Sequence, residues 1–157
     1  MCSSDLGSST SLGRELGLPV ANHLVEKDAS GRERSLPAEK FYVPSSVLRV
    51  RVDNASPLAW GVGEEVDVMF ANSPTFAWPA DAAEKGMRRV AWFDGKAPLR
   101  SGWAWGQEQL NGGVAVAEAP VGKGRLVLCG PQILFRGQPE GTFKFLFNSL
   151  VQAGVKE

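Results

Sequence analysis

Val47-Leu48-Arg49-Val50-Arg51-Val52-Asp53 alternates apolar with charged residues, and that period of two leaves a chain few options. Successive side chains of a strand point to opposite faces, so the run predicts a strand with one buried and one wet face, near a sheet edge. Val66-Asp67-Val68-Met69-Phe70 obeys the same rule. Arg88 to Phe93 is more uniformly apolar, which predicts a strand buried on both faces and closed by Asp94-Gly95. Val114 to Glu118 and Arg125 to Cys129 flank Ala119-Pro120-Val121-Gly122-Lys123-Gly124, a turn with φ-permissive glycine, so these two runs predict a hairpin.

Helical spacing brackets these runs. After the polar start at Ser8, Ser9 and Thr10, Leu12, Leu16 and Val20 recur at about a helical interval, predicting a helix within Gly7 to Leu24 that Gly17 and Pro19 interrupt. Glu26 to Lys40 is polar and reads as an exposed loop. At the far end Thr142 is placed to cap a helix. Phe143, Leu146, Phe147, Leu150 and Val151 form its apolar stripe, and Gly154 sits where it would stop. That stripe is expected to lie on the sheet. The Pro/Gly-rich joints at 54–63 and 95–113 are long for one small domain.

Composition bounds the function. The chain has 157 residues, enough for one domain or part of one, and 43% hydrophobic content with five Trp and eight Phe is ample for a core. Lys+Arg and Asp+Glu are 17 each, so no charge excess draws a nucleic acid or an anionic membrane surface. No apolar run reaches the length of a membrane span. One His and two Cys argue against a self-contained metal or His-dependent enzyme. Met1-Cys2-Ser3-Ser4-Asp5-Leu6 is what the end of a common sequencing-library adapter encodes, so residues 1–6 are read as non-native and the natural polypeptide as beginning near Gly7, cut from a longer chain. Cys129 then stands alone. No intrachain disulfide is available, and cysteine usage does not fix the compartment.

More specific runs follow. Leu99-Arg100-Ser101-Gly102-Trp103-Ala104-Trp105-Gly106, Val121-Gly122-Lys123-Gly124-Arg125 and Phe135-Arg136-Gly137-Gln138-Pro139-Glu140-Gly141-Thr142-Phe143-Lys144 occur in that order. Upstream stand Leu36-Pro37-Ala38-Glu39-Lys40-Phe41-Tyr42-Val43-Pro44 and Asn72-Ser73-Pro74-Thr75-Phe76. Together they resemble the carboxy-terminal region of large bacterial zinc carboxypeptidases of the carboxypeptidase A type, over essentially everything after Leu6. Ser45 stands where the resemblance leads one to expect Gly.

In such proteins the zinc peptidase domain lies nearer the amino terminus, and the tail resembles a class I glutamine amidotransferase-like domain. The resemblance implies that residues 7–157 are the carboxy-terminal part of that accessory domain. Its fold would be α/β: a partial doubly wound, mostly parallel sheet of the amidotransferase or flavodoxin-like kind, with a late β-hairpin and a carboxy-terminal amphipathic helix. Zinc belongs to the parent and no cofactor to this chain. The partner would be the peptidase domain of the same parent, itself secreted or periplasmic.

Several residues carry chemistry in principle. His23-Leu24-Val25-Glu26 matches H-x-x-E, but zinc needs a third protein ligand and no second His exists, so no metal residue is assigned. Ser8 or Ser9 as an acyl nucleophile would have only His23 as base; helix capping needs nothing more, and an anion held at a helix start lies between these readings. Cys129 ends an apolar strand and reads as a small buried apolar residue. Gly122-Lys123-Gly124 lacks the rest of a phosphate loop. Trp103 and Trp105, two apart, would share one face of an extended segment, with burial or a domain interface favoured over sugar stacking. Arg136 offers a fork for a partner's carboxylate. The candidate docking or ligand surface is thus Ser8, Ser9, Trp103, Trp105 and Arg136. The alternative to an accessory domain is a stand-alone peptide- or glycan-binding module using exposed Trp.

Overall fold

The computed structural model describes Gly13, residues 15–137 and residues 140–154. Every strand pairing in it is antiparallel. The expected mostly parallel, doubly wound sheet is therefore not the architecture of the described residues. Parallel neighbours need a long crossover that is usually helical, and no joint between paired strands here contains an α-helix. What does hold is the coarser expectation of strands with a late hairpin and a carboxy-terminal helix against a sheet.

Eight strands form the main sheet, which branches at two of them. The first branch is β4(Ser46–Val52), with β5(Glu65–Phe70) along one edge. Its other edge is shared by β7(Arg88–Trp92), at Arg51 and Val52, and β8(Leu99–Ser101), at Val47 and Leu48. The alternation read from its sequence is real: Leu48, Val50 and Val52 are buried while Arg49 and Arg51 face outward. The edge position is not, since β4 is paired on both sides. Its wet face is covered by ion pairs, Arg49 Nε to Asp67 Oδ1 at 3.0 Å and Arg49 Nη1 to Glu65 Oε2 at 3.1 Å. The Asp67 hydrogen bond raises the Arg49 pKa above its ordinary value.

The second branch is β9(Val114–Val121), buried from Val114 to Ala119. One edge pairs with β7; the other is shared by β10(Gly124–Cys129) and, at Val114, by β6(Phe76–Ala77). The expected hairpin is present with a tighter turn, because Gly124 pairs with Val121 and Gly122 takes φ 58. Just past β10, a Cβ on Gly130 would come within 2.0 Å of Pro74 O, so only glycine lets the segment leading into β6 approach. Cys129 is buried, 1% exposed, as its strand position predicts.

Of the helix expected within Gly7 to Leu24, residues 7–12 and 14 lie outside the described residues, and Gly13 and Glu15 are helical. The helical state ends by Leu16, and β1(Ala21–Asn22) pairs with β6 as strand. Glu26 to Lys40 is exposed, yet it is more than a loop: β2(Val25–Lys27) and β3(Glu33–Ser35) form a separate small hairpin. Asp28 organises its turn, accepting hydrogen bonds from Ser30 Oγ, Ser30 N and Arg32 N. The Ser30 hydroxyl, then the Arg32 amide, hold its carboxyl below the ordinary range.

The largest correction concerns α1(Glu140–Gly154), the one full α-helix among the described residues. Thr142 lies inside the helix; it is buried and its hydroxyl donates to Ile133 O at 2.5 Å. Phe145 is fully buried, and Ser149 and Gln152 continue the inner face at intervals of four and three. Asn148 Nδ2 donates to Leu58 O and Trp60 O, both at 2.9 Å, and Lys144 Nζ to Gly61 O. These bonds tie the helix to the 3-10 turn Pro57–Ala59 and set its rotation. The predicted stripe is turned outward in consequence: Phe147 is 57%, Leu150 60% and Val151 61% exposed, and only Phe143 and Leu146 remain partly covered.

Candidate functional site

After β8 the chain leaves the sheet at Gly102 and runs as an irregular segment through Trp103, Ala104 and Trp105 into a 3-10 turn at Gln107–Leu110. Main-chain bonds anchor it firmly. Ser46 Oγ, at the start of β4, donates to Trp103 O at 2.6 Å and accepts from Trp103 N at 3.0 Å. Trp105 and Tyr42 form an isolated antiparallel bridge, each amide donating to the other's carbonyl at 3.0 Å. Trp105 Nε1 donates to Glu39 O at 2.8 Å. Gly106 closes the segment at φ 69, and a Cβ there would stand 1.9 Å from Lys40 O. The two strips of chain are in contact through their backbones.

The side chains this seam presents are aromatic and outward. Trp103 and Trp105 are each 55% exposed and Tyr42 41%. Of the two expectations for the indoles, burial within this chain is corrected and a domain interface stays open: their main-chain groups are locked to the fold while their rings stand exposed. Tyr42 meets Trp103 edge to face, ring centroids 5.8 Å apart. Beside Trp105 a cleft of about 430 Å³ is lined by Glu39, Lys40, Gln107, Glu108 and Gln109 among others. Gln107 Oε1 accepts from Leu99 N at 3.0 Å, which fixes its amide.

The other candidates are scattered. Ser8 and Ser9 lie outside the described residues. Arg136 is exposed at φ 47 in the 3-10 turn Phe135–Gly137, its guanidinium 5.1 Å from the Phe135 ring, and no contact joins it to the indoles. Glu26 of the H-x-x-E run is paired with Lys40 Nζ, and His23 N donates to Thr75 O at 2.8 Å. Among the described residues no group of three or more His, Cys, Asp or Glu is placed to hold a metal ion. Nor is any described helix long and apolar enough to cross a membrane.

Sequence reasoning missed Tyr42, Ser46, Gly106 and the cleft residues. Tyr42 had a signal: between Phe41 and the fully buried Val43, a period of two turns it outward. The contact of Gly106 with Lys40 spans 66 positions and leaves no local trace.

No family model, no curated protein and no solved structure matches the chain.

Proposed function

We propose that this chain is a non-catalytic accessory domain, the carboxy-terminal part of a bacterial zinc carboxypeptidase of the carboxypeptidase A type. The parent would use zinc-activated water to release carboxy-terminal residues from peptides outside the cytoplasm, with its metal held upstream. The observation that carries the accessory role is the outward stripe of α1. Phe147, Leu150 and Val151 are joined by Trp60, 79% exposed at the end of the adjoining 3-10 turn. Apolar surface of this kind marks a docking face. Trp60 and Val151 line one cleft with Ser56 and Gln152, whose Oγ and Nε2 are buried without a hydrogen-bond partner among the described residues. A seam with apolar walls and two unsatisfied polar atoms fits a face that a neighbouring domain completes.

Substitution separates docking from core. Leu150→Lys in the isolated chain is expected to change unfolding free energy by no more than about 0.5 kcal/mol, as at ordinary surface sites. In the intact parent it should loosen the tail and speed its cleavage by protease. Urea titrations and limited proteolysis read the two arms; a large loss in the isolated chain, or none in the parent, counts against docking.

A second reading, a module that binds peptide or glycan by itself, is favoured by the 55% exposure of Trp103 and Trp105.

A further inference from the structure

We infer that the cleft beside Trp105 is a saccharide subsite, in which the exposed indole carries the C–H face of a neutral pyranose and the surrounding side chains bond its hydroxyls. The inference rests on the second reading's aromatic surface and does not depend on which parent the chain belongs to.

Four main-chain groups of the seam are closed to the commonest peptide mode. A peptide laid along a segment gains affinity by pairing with its amides and carbonyls. Here Trp103 N and O are both bonded to Ser46, and Trp105 N and O to Tyr42. Trp105 Nε1 is also spent, on Glu39 O, so the indole offers a ligand its π-face and no polar edge. An exposed apolar ring held at its nitrogen by a main-chain carbonyl suits a partner that is apolar on one face and polar round its rim. A pyranose has that anatomy.

The rim matches as well. Gln107, Glu108 and Gln109 follow the indole on one 3-10 turn, and Glu39 and Lys40 line the same cleft. The Gln amides both donate to and accept from hydroxyls, and the Glu carboxylates accept from them. With Gln107 Oε1 held by Leu99 N, its amide nitrogen is the donor left for a ligand. Lys40 is paired with Glu26, so the cleft's residues offer no unpaired cation to an acidic sugar. Its volume of about 430 Å³ is within the range of small-ligand sites, which start near 300 Å³. Trp103, fixed against Tyr42, supplies a second exposed ring for a neighbouring residue of the same glycan.

The test is a titration of the full chain, followed by intrinsic fluorescence and calorimetry, with cellohexaose, xylohexaose, maltohexaose and chitohexaose. At least one is expected to bind with millimolar or better affinity, nearly unchanged between 50 mM and 500 mM salt. Trp105→Ala should weaken that binding at least tenfold with the thermal unfolding midpoint kept, and Gln109→Ala should weaken it less. Trp60→Ala, at the other end of β4, should leave it unchanged. Absence of binding to all four sugars overturns the inference, as does binding that survives Trp105→Ala. Binding of an extended hexapeptide at the same cleft with no sugar competing also overturns it. None of these failures bears on the docking face of α1, which the protease experiment reads separately.

Discussion

Phe70→Ala is expected to lower the unfolding free energy by about 3–5 kcal/mol, the usual range for truncating a buried aromatic. Phe70 ends β5 fully buried, edge to face with Phe41 at 6.2 Å and with Phe93 at 5.9 Å. It thereby joins the strand to the segment that carries Tyr42 and to the residue that follows β7. Close-packed rings cannot all move in to fill the space, so the lost transfer energy and the cavity add. A domain of this size has roughly 5–15 kcal/mol in total, so about a fifth or more of its stability would be lost. Urea unfolding followed by tryptophan fluorescence measures this; a loss under about 1 kcal/mol would mean that the ring is not central to the core.

Gly106→Ala is the second large effect, and it reaches the site. The backbone there is left-handed, which alone costs an alanine about 1–2 kcal/mol. The added methyl would also stand 1.9 Å from Lys40 O and 2.9 Å from Lys40 C, main-chain atoms that no rotamer change can clear. Together a loss of about 2–4 kcal/mol is expected, with the Tyr42–Trp105 bridge opened and sugar binding gone. Gly112→Ala is the control. Its φ of 80 is similarly left-handed, but a Cβ meets nothing within 4 Å, so only the backbone cost of about 1–2 kcal/mol applies. Equal effects at the two glycines would show that the close approach of Gly106 to Lys40 is not real.

How far the sequence went depends on what kind of information each feature needs. β4, β5, β7 and the β9–β10 hairpin were legible because alternation, apolar runs and turn glycines are local, and local patterns decide which face of a strand is buried. Strand direction was not local. The parallel sheet came with the resemblance, whereas the placing of β9 beside β7 and β6 is set by contacts far apart in the chain. The rotation of α1 shows the same limit from another side. Period and apolarity picked out Phe143, Leu146, Phe147, Leu150 and Val151, but Asn148 and Lys144 reach three carbonyls of the chain around the 3-10 turn and hold most of that stripe outward. Polar side chains with fixed partners outweighed the stripe, leaving on the surface the residues that sequence alone assigns to the core. At the site, Trp103 and Trp105 were legible as a pair. Their exposure was not, because it follows from Ser46 and Tyr42 using up the main chain on which they stand.

The central claim, that this chain serves a zinc carboxypeptidase without holding its metal, is tested most directly by sequencing the genomic reading frame that contains residues 7–157. The account predicts an open frame continuing upstream of Gly7 and encoding a peptidase domain with an H-x-x-E pair and a distant second His. A stop codon immediately before Gly7, or a long upstream frame without those ligands, would contradict it.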